Sequence, residues 1–197
     1  MESVKSDNEL KSIPLANEEG FHQGSAIFSL RFNSDSSKLL GGSKYGRLIL
    51  FDLESGSSTV HNADFIHAED QNAVCFSKMN PNEIFSGGDN GLVTCWDGRL
   101  LGSSDSPVGH FAGHSEGITY IDAAEDGVTL LTNSKDQTIK LWDTRMFSRE
   151  ETARKSEERV VENGRHFDYR YNFPPKQYGN SIVHAGRGIN FTFPTSV

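Results

Sequence analysis

The chain has 197 residues, of which 35% are apolar and 23% are charged, and its formal net charge is −8. This composition is ordinary for a globular protein, and the negative charge makes nucleic acid and anionic membranes poor partners because both would repel it. No apolar run approaches the ~20 residues that a membrane-spanning helix needs.

The N-terminal segment, residues 1–20, is polar and acidic. It lacks the basic and apolar regions of a secretory signal peptide. We therefore expect a cytoplasmic and/or nuclear protein. In that compartment Cys75 and Cys95, which lie in apolar stretches, are expected to be reduced and buried rather than bridged.

Three segments of the chain end in the same way. Each ends with an apolar residue, an aromatic residue and an aspartate, at Leu50–Asp52, Cys95–Asp97 and Leu141–Asp143. The aromatic positions are 45 and 46 residues apart, and a histidine (His22, His67 or His114) lies 28 or 29 residues before each of them. This period is that of WD repeats, with a small insertion. The repeats are expected at about 21–64, 65–110 and 111–147.

Each repeat is predicted to contain three short strands separated by polar turns. The first strands are Ile27–Phe32, Ala73–Ser77 and Ile118–Asp122; the second are Lys38–Leu40, Glu83–Ser86 and Thr129–Thr132; the third are Arg47–Asp52, Leu92–Asp97 and Thr138–Asp143. Strands at this spacing predict an all-β, antiparallel β-propeller.

Three repeats predict only part of a propeller, because a closed ring has about 4–8 blades of four strands each. Leu10–Leu15, within the N-terminal segment, is a candidate outer strand for a preceding blade. Residues 181–197 contain alternating apolar residues but no histidine-to-aspartate frame. They either begin a further blade or are unrelated to the repeats.

The third repeat carries four polar side chains that are predicted to satisfy one another when buried. They are His114, Thr132, Asp136 and the indole N–H of Trp142. Hydrogen bonds among them would connect a loop between blades to the inner strands. We call these four residues the histidine network.

The network is predicted to be less complete in the other two repeats. The second repeat offers His67, Ser86 and Trp96, but Asn90 replaces the aspartate, and Asp89 is one residue early. In the first repeat tyrosine and phenylalanine replace the aspartate and the tryptophan.

Residues 148–164 are charged and follow the third repeat. Ser148 with Glu151 is a capping-box pattern, and Gly164 suits the position after a helix end. The segment is either an exposed helix or a charged linker. The last segment, residues 165–197, begins with four aromatic residues: Phe167, Tyr169, Tyr171 and Phe173. These either pack on a blade or form an exposed patch.

The sequence contains no pattern typical of a catalytic, metal or cofactor site. His110 and His114 are expected in a loop that enters a strand, so they do not form the helical pair of a zinc protease. No phosphate-binding loop or nucleophile elbow is present. We therefore predict no enzyme activity, no metal and no cofactor, and expect a protein-interaction scaffold.

Two consecutive Trp-Asp-x-Arg boxes end the second and third repeats, at Trp96–Arg99 and Trp142–Arg145. Arginine suits planar, bidentate recognition of carboxylates and carbonyls. The two arginines therefore either form a docking surface or pair with acidic side chains of their own repeats.

The chain from Ile27 to about Pro175 resembles the WD-repeat substrate receptors of cullin-4 RING ubiquitin ligases, and within them the cullin-4-associated factor eleven family. The resemblance rests on the boxes and on segments such as Asn133–Asp143, Phe147–Glu150 and Asp168–Arg170. It implies a receptor without catalytic activity that binds a protein substrate for ubiquitination and proteasomal degradation. It also implies that Asp97, Arg99, Asp143 and Arg145 face the damaged-DNA-binding adaptor subunit of the ligase. A generic WD-repeat scaffold unrelated to ubiquitin is the alternative.

Overall fold

The structure is a computed structural model that describes residues 26–61, 69–103, 106–163 and 190–191. These residues form three four-stranded antiparallel sheets and one helix. The predicted fold, an incomplete β-propeller with a short helix, is confirmed, and the ring is not closed. The candidate strand Leu10–Leu15, His22, His67 and the aromatic segment after the helix lie outside the described residues.

The sheets follow one another along the chain, and we call them blades 1, 2 and 3. Blade 1 contains β1 (Ile27–Phe32), β2 (Lys38–Ser43), β3 (Leu48–Asp52) and β4 (Ser58–His61); blade 2 contains β5 (Gln71–Phe76), β6 (Glu83–Gly88), β7 (Leu92–Asp97) and β8 (Gly109–Ala112); blade 3 contains β9 (Ile118–Ala123), β10 (Thr129–Ser134), β11 (Ile139–Asp143) and β12 (Asn190–Phe191). Strands β1, β5 and β9 are innermost, and adjacent ones pack against each other.

Blades 1 and 2 each contain a fourth strand that was not predicted, and blade 3 is completed by β12 from residues 190–191 of the tail. β4 and β8 hydrogen-bond to the outer sides of β3 and β7. His110, which was expected in a loop, therefore lies in strand β8, opposite Thr94. The hydroxyl of Thr94 and Nδ1 of His110 are 3.1 Å apart, which fixes this pairing.

The antiparallel order gives the blades two distinct faces. The turns between β1 and β2 and between β3 and β4, with their counterparts in the other blades, lie at one end of the strands, which we call the lower face. A shallow cavity lined by Arg31, Cys75 and Asp122, near the ends of β1, β5 and β9, shows that the three inner strands end at the same face. The opposite end is the upper face.

Apolar side chains on alternating sides of each strand build two cores between the blades. The core between blades 2 and 3 contains Ala73, Cys75, Phe85, Val93, Cys95, Phe111, Ile118, Ile121, Ala123, Leu130 and Trp142. The core between blades 1 and 2 contains Leu40, Leu48, Val74, Phe76, Ile84 and Leu101, with Leu50 and Trp96 packed against it. Blade 2 is therefore covered on both sides.

Strands β2 and β6 run further than predicted, because glycine pairs continue them instead of ending them. A Cβ placed on Gly42 would lie 2.8 Å from Cγ1 of Val74, and one on Gly87 would lie 2.6 Å from Cγ2 of Ile118. Glycine is required here because the neighbouring blade approaches the strand backbone closely. The corresponding position in blade 3 is Asn133.

The charged segment after the third repeat forms the helix α1 (Glu150–Asn163). It packs on blade 2, where Ala153 forms a small core with Leu92 and Ala112. Ser148, just before the helix, holds it there, because its backbone N–H donates to the His110 carbonyl (2.8 Å) and its hydroxyl accepts from the Ala112 N–H (2.9 Å). Within the described part of the chain, no helix has the length and apolarity to span a membrane.

Candidate interaction surface

The two Trp-Asp-x-Arg boxes form equivalent turns at the lower face. After β7, the backbone N–H of Leu100 donates to the Asp97 carbonyl over 2.9 Å, and after β11 that of Met146 donates to the Asp143 carbonyl over 3.0 Å. The turns share one hydrogen-bond pattern, and each starts at the last residue of the third strand of its blade. The repeat thus places the two boxes one blade apart on the same face.

In each box the aspartate and the arginine form the same two-pronged ion pair. Asp97 Oδ1 accepts from the backbone N–H and from Nε of Arg99, both at 3.0 Å, and Oδ2 accepts from Nη2 at 2.6 Å. Asp143 and Arg145 repeat this arrangement at 3.0, 2.8 and 2.6 Å. Hydrogen bonds from the arginines hold the pKa values of Asp97 and Asp143 at about 2, so both carboxylates are charged at neutral pH.

The sequence left open whether these arginines pair locally or form a docking surface. They do pair within their own repeats, yet the side chains of Arg99 and Arg145 remain 69% and 70% exposed. An exposed ion pair of this kind contributes little to stability because water screens it. The local pair therefore orients each guanidinium toward solvent while leaving most of its surface free to contact another molecule.

Exposed apolar side chains surround the boxes on the lower face. They are Met79 in the turn between β5 and β6, Leu100 and Val108 between β7 and β8, and Met146 and Phe147 after β11. Arginine together with methionine and large apolar residues is the composition typical of a protein–protein interface. Sequence reasoning identified the arginines but missed this apolar set, because an isolated apolar residue in a turn gives no signal of exposure.

The structure brings together all four members of the histidine network in blade 3. His114 Nδ1 lies 2.9 Å from Asp136 Oδ2, His114 Nε2 lies 2.8 Å from Thr132 Oγ1, and Nε1 of Trp142 donates to the same Oγ1 over 2.8 Å. This geometry assigns the neutral imidazole with its proton on Nδ1, because the Thr132 hydroxyl then donates to Nε2 while accepting from the indole.

The electrostatics of the buried pair agree with that assignment. Burial lowers the pKa of His114, against the opposing effect of Asp136. Burial alone would raise the pKa of Asp136, but hydrogen bonds from His114 and Thr138 outweigh it and hold that pKa at about 2. A neutral histidine and an ionised aspartate are therefore locked between the loop that precedes β9 and the turn between β10 and β11. This is a structural device and not a reactive site.

Blade 2 contains part of the same network. Trp96 Nε1 donates to Ser86 Oγ over 2.9 Å, which matches the bond between Trp142 and Thr132. Asn90 copies one bond of Asp136, because its Oδ1 accepts from the Leu92 backbone N–H (3.1 Å) as Asp136 Oδ1 accepts from that of Thr138 (2.9 Å). The Asn90 amide donates to Glu157 of the helix (3.1 Å), and Asp89 accepts from Lys135. His67 lies outside the described residues.

Two further buried features are His61, which was not predicted, and the two cysteines, which were predicted to be reduced and buried and are so. His61, in the unpredicted strand β4, packs against Trp96 with ring centroids 4.6 Å apart and ring planes tilted by 58°, so it links blade 1 to blade 2. Cys75 and Cys95 are free and buried, and burial raises the pKa of both thiols to about 12, which makes them unreactive. Among the described residues, no group of three or more potential ligands is placed to hold a metal ion.

Comparisons with known proteins agree with this architecture. Residues 105–143 match the family described as "WD domain, G-beta repeat". The chain is 42% identical over 153 residues to the "DDB1- and CUL4-associated factor 11 homolog" of Caenorhabditis briggsae, which covers 76% of this chain and 27% of that protein. The corresponding homologue of Caenorhabditis elegans is 40% identical, covering 76% and 26%.

A solved structure supports the fold alone. A chain of the "Crystal Structure of Mitotic Checkpoint Complex" aligns with a TM-score of 0.56 and 21% identity, covering 64% of this chain and 36% of that one. The three blades and the family match over residues 105–143 together define the class: the chain is built of WD-type β-propeller repeats.

Within that class, the chain is similar to the DDB1- and CUL4-associated factor 11 homologues. It spans about a quarter of the length of these curated relatives.

Proposed function

We propose that this chain is a substrate-recognition scaffold that docks a target protein onto a cullin-4 RING ubiquitin ligase, for ubiquitination and proteasomal degradation. The observation that carries the proposal is the pair of equivalent boxes one blade apart on the lower face, each presenting an oriented, exposed arginine. The names of the relatives, which associate them with DDB1 and CUL4, supply the partner.

The chemistry of the lower face suits docking onto a protein adaptor. Arg99 and Arg145 present fixed guanidinium groups for carboxylates and carbonyls, and the exposed apolar side chains around them provide surface to bury. With Asp97 and Asp143 these arginines make up the proposed contact with the damaged-DNA-binding adaptor. Docking through the lower face leaves the upper face and the rim for the target protein.

The proposal is tested by affinity purification of the tagged chain from cell lysate, followed by mass spectrometry. The wild type is compared with Arg99→Ala/Arg145→Ala and with Arg154→Ala as a matched control. Arg154 is a comparably exposed arginine (64%) that pairs with Glu158 on the helix, away from the boxes.

We expect the adaptor and cullin-4 to be recovered with the wild type and with Arg154→Ala and to be lost with the double variant. All three proteins should unfold at the same urea concentration when unfolding is monitored by the fluorescence of Trp96 and Trp142. Recovery that is unchanged in the double variant would contradict the proposal. It would favour a generic WD-repeat scaffold in which these arginines are not a contact.

A further inference from the structure

The segment that follows the third repeat crosses the lower face from blade 3 to blade 2. After the box of blade 3 it passes through Met146 and Phe147, and the backbone N–H of Ser148 then donates to the His110 carbonyl in β8 (2.8 Å). The Phe147 ring lies against Gly109 at the start of β8, where an added Cβ would lie 2.5 Å from Cγ of that ring. Strand β8 pairs with β7, whose end carries the box of blade 2. Phe147 therefore lies at the junction between the two blades that carry the boxes.

Phe147 covers the lower end of the core between blades 2 and 3. Its ring centroid lies 5.2 Å from that of Phe111, which in turn lies 5.9 Å from that of Trp142. Phe111 and Trp142 both belong to this core. One side of the Phe147 ring is therefore packed, yet the residue is 40% exposed. A side chain that is already held in place loses little conformational freedom when a partner covers it, which favours binding.

The equivalent position in blade 2 shows that the fold does not require this exposure. Leu101 lies five residues after the tryptophan of its repeat, as Phe147 does. Leu101 belongs to the core between blades 1 and 2 and is only 6% exposed. A leucine is therefore enough to close one junction between blades, and the phenylalanine at the other junction adds apolar surface that faces solvent.

Other exposed apolar side chains continue this surface toward both boxes. Val108 directly precedes β8, Leu100 directly follows the box of blade 2, and Met146 directly follows the box of blade 3. All three are exposed, and we call them and Phe147 the apolar strip. The blades of a propeller pack side by side around its axis, so a surface at the lower end of the strands is not a contact between blades. Exposed apolar side chains grouped in this way mark an interaction site.

The arginines determine the chemistry at both ends of the apolar strip. Each guanidinium has five N–H donors, of which its own aspartate accepts two. Within the described residues, three donors therefore remain on Arg99 and three on Arg145, and both side chains are exposed. A partner that covers the strip meets these donors and must supply acceptors, such as carboxylates or backbone carbonyls, because a buried donor without an acceptor is costly.

We propose that Phe147 is the central apolar contact of the docking surface, and that the adaptor covers it with an apolar patch flanked on both sides by acceptors for the arginines. This inference rests on the docking proposed above. It adds a residue outside the boxes and specifies the surface that the partner presents. A packed aromatic residue between arginines is an arrangement typical of the centre of a protein–protein interface.

The first test is a binding titration of the full chain against the purified adaptor with the variant Phe147→Leu, which introduces the residue that closes the other junction. We expect the affinity to fall at least about fivefold, as for a residue at the centre of an interface. The urea midpoint should stay at its wild-type value, because the junction remains closed. Val161→Ala is the matched control, since Val161 is comparably exposed (51%) but lies near the far end of helix α1. Wild-type affinity in Phe147→Leu would overturn the inference.

The second test detects the contact directly and leaves Phe147 in place. The photo-crosslinking residue p-benzoylphenylalanine is introduced at position 108, next to Gly109 in the chain, or at position 161 as the control. Irradiation of each chain with the adaptor should give a covalent adduct from position 108 and none from position 161. Absence of the adduct from position 108, or equal adducts from both positions, would overturn the inference.

The inference and the proposed function fail in different ways. If Arg99→Ala/Arg145→Ala loses binding while Phe147→Leu keeps it, the docking through the boxes stands and the role of Phe147 is wrong. If the wild-type chain does not bind the adaptor, both are wrong.

Discussion

The Thr132 hydroxyl is the centre of the histidine network, since it bonds to both the His114 ring and the Trp142 indole. Replacing Thr132 with valine keeps the shape of the side chain but leaves two buried polar groups without a partner. A buried group left unsatisfied costs about 1–3 kcal/mol. We expect Thr132→Val to lower the free energy of unfolding by about 2–4 kcal/mol, measured by urea unfolding. The matched control is Thr119→Val, whose hydroxyl makes one exposed bond; a similar loss there would contradict this account.

The buried pair of His114 and Asp136 makes stability depend on pH. Burial lowers the pKa of His114 below its unfolded value of 6.5, so the unfolded chain takes up the proton first. The stability that neutral His114 provides is therefore present above that value and is lost as the pH falls below it. Asp136, with its pKa lowered to about 2, adds a loss at still lower pH.

We expect the urea midpoint of the wild type to fall between about pH 7 and about pH 5, and to fall less in His114→Gln. His110 also has a pKa lowered by burial, but it is present in both proteins, so the difference isolates His114. Equal declines in the two proteins would show that His114 is not the group responsible.

Individual residues show how far the sequence could predict the site. The types and the order of His114, Thr132, Asp136 and Trp142 were enough to predict a mutually satisfied set, because each buried polar group needs a partner of fixed chemistry. For Arg99 the sequence could not decide between local pairing and docking. The structure shows that Arg99 pairs with Asp97 and that its side chain is still 69% exposed, so the local pair is compatible with the proposed docking.

At the scale of elements, the contact between helix α1 and blade 2 depends on a glycine. Gly91 has φ +73°, and a Cβ placed there would lie 2.8 Å from Cγ2 of Val160 on the helix. Gly56 has nearly the same conformation, φ +70°, with nothing within 4 Å of an added Cβ. The two glycines share the conformational cost of a substitution and differ in packing.

We expect Gly91→Ala to lower the free energy of unfolding by about 1–3 kcal/mol more than Gly56→Ala, which is the cost typical of overpacking. Both variants are measured by urea unfolding followed by circular dichroism. An equal decrease in the free energy of unfolding in the two variants would mean that the helix moves aside without loss of stability and does not pack tightly on blade 2.

The elements that the sequence missed have weak local signals. β4 and β8 have four residues each and no alternating pattern, and they are strands because they pair with β3 and β7. Glycine has a low strand propensity, so the extension of β2 and β6 through their glycine pairs was also missed. The helix was one of two alternatives for a charged segment, and its site on blade 2 depends on tertiary contacts at Ala153 and Ser148.

On the scale of the whole molecule, the period of the repeats was sufficient to predict an incomplete ring. The three blades place the two boxes one blade apart on the lower face, where one partner can contact both.

The central claim is that the two arginine boxes form the docking surface for the ligase adaptor. The most direct measurement is a binding titration of the purified chain against the purified damaged-DNA-binding adaptor, with Arg99→Ala/Arg145→Ala and Arg154→Ala in parallel. We predict saturable binding by the wild type and by Arg154→Ala, and at least a tenfold loss of affinity in the double variant, about 1.4 kcal/mol. Equal affinity of all three proteins, or no binding by a wild-type chain that unfolds cooperatively, would contradict the claim.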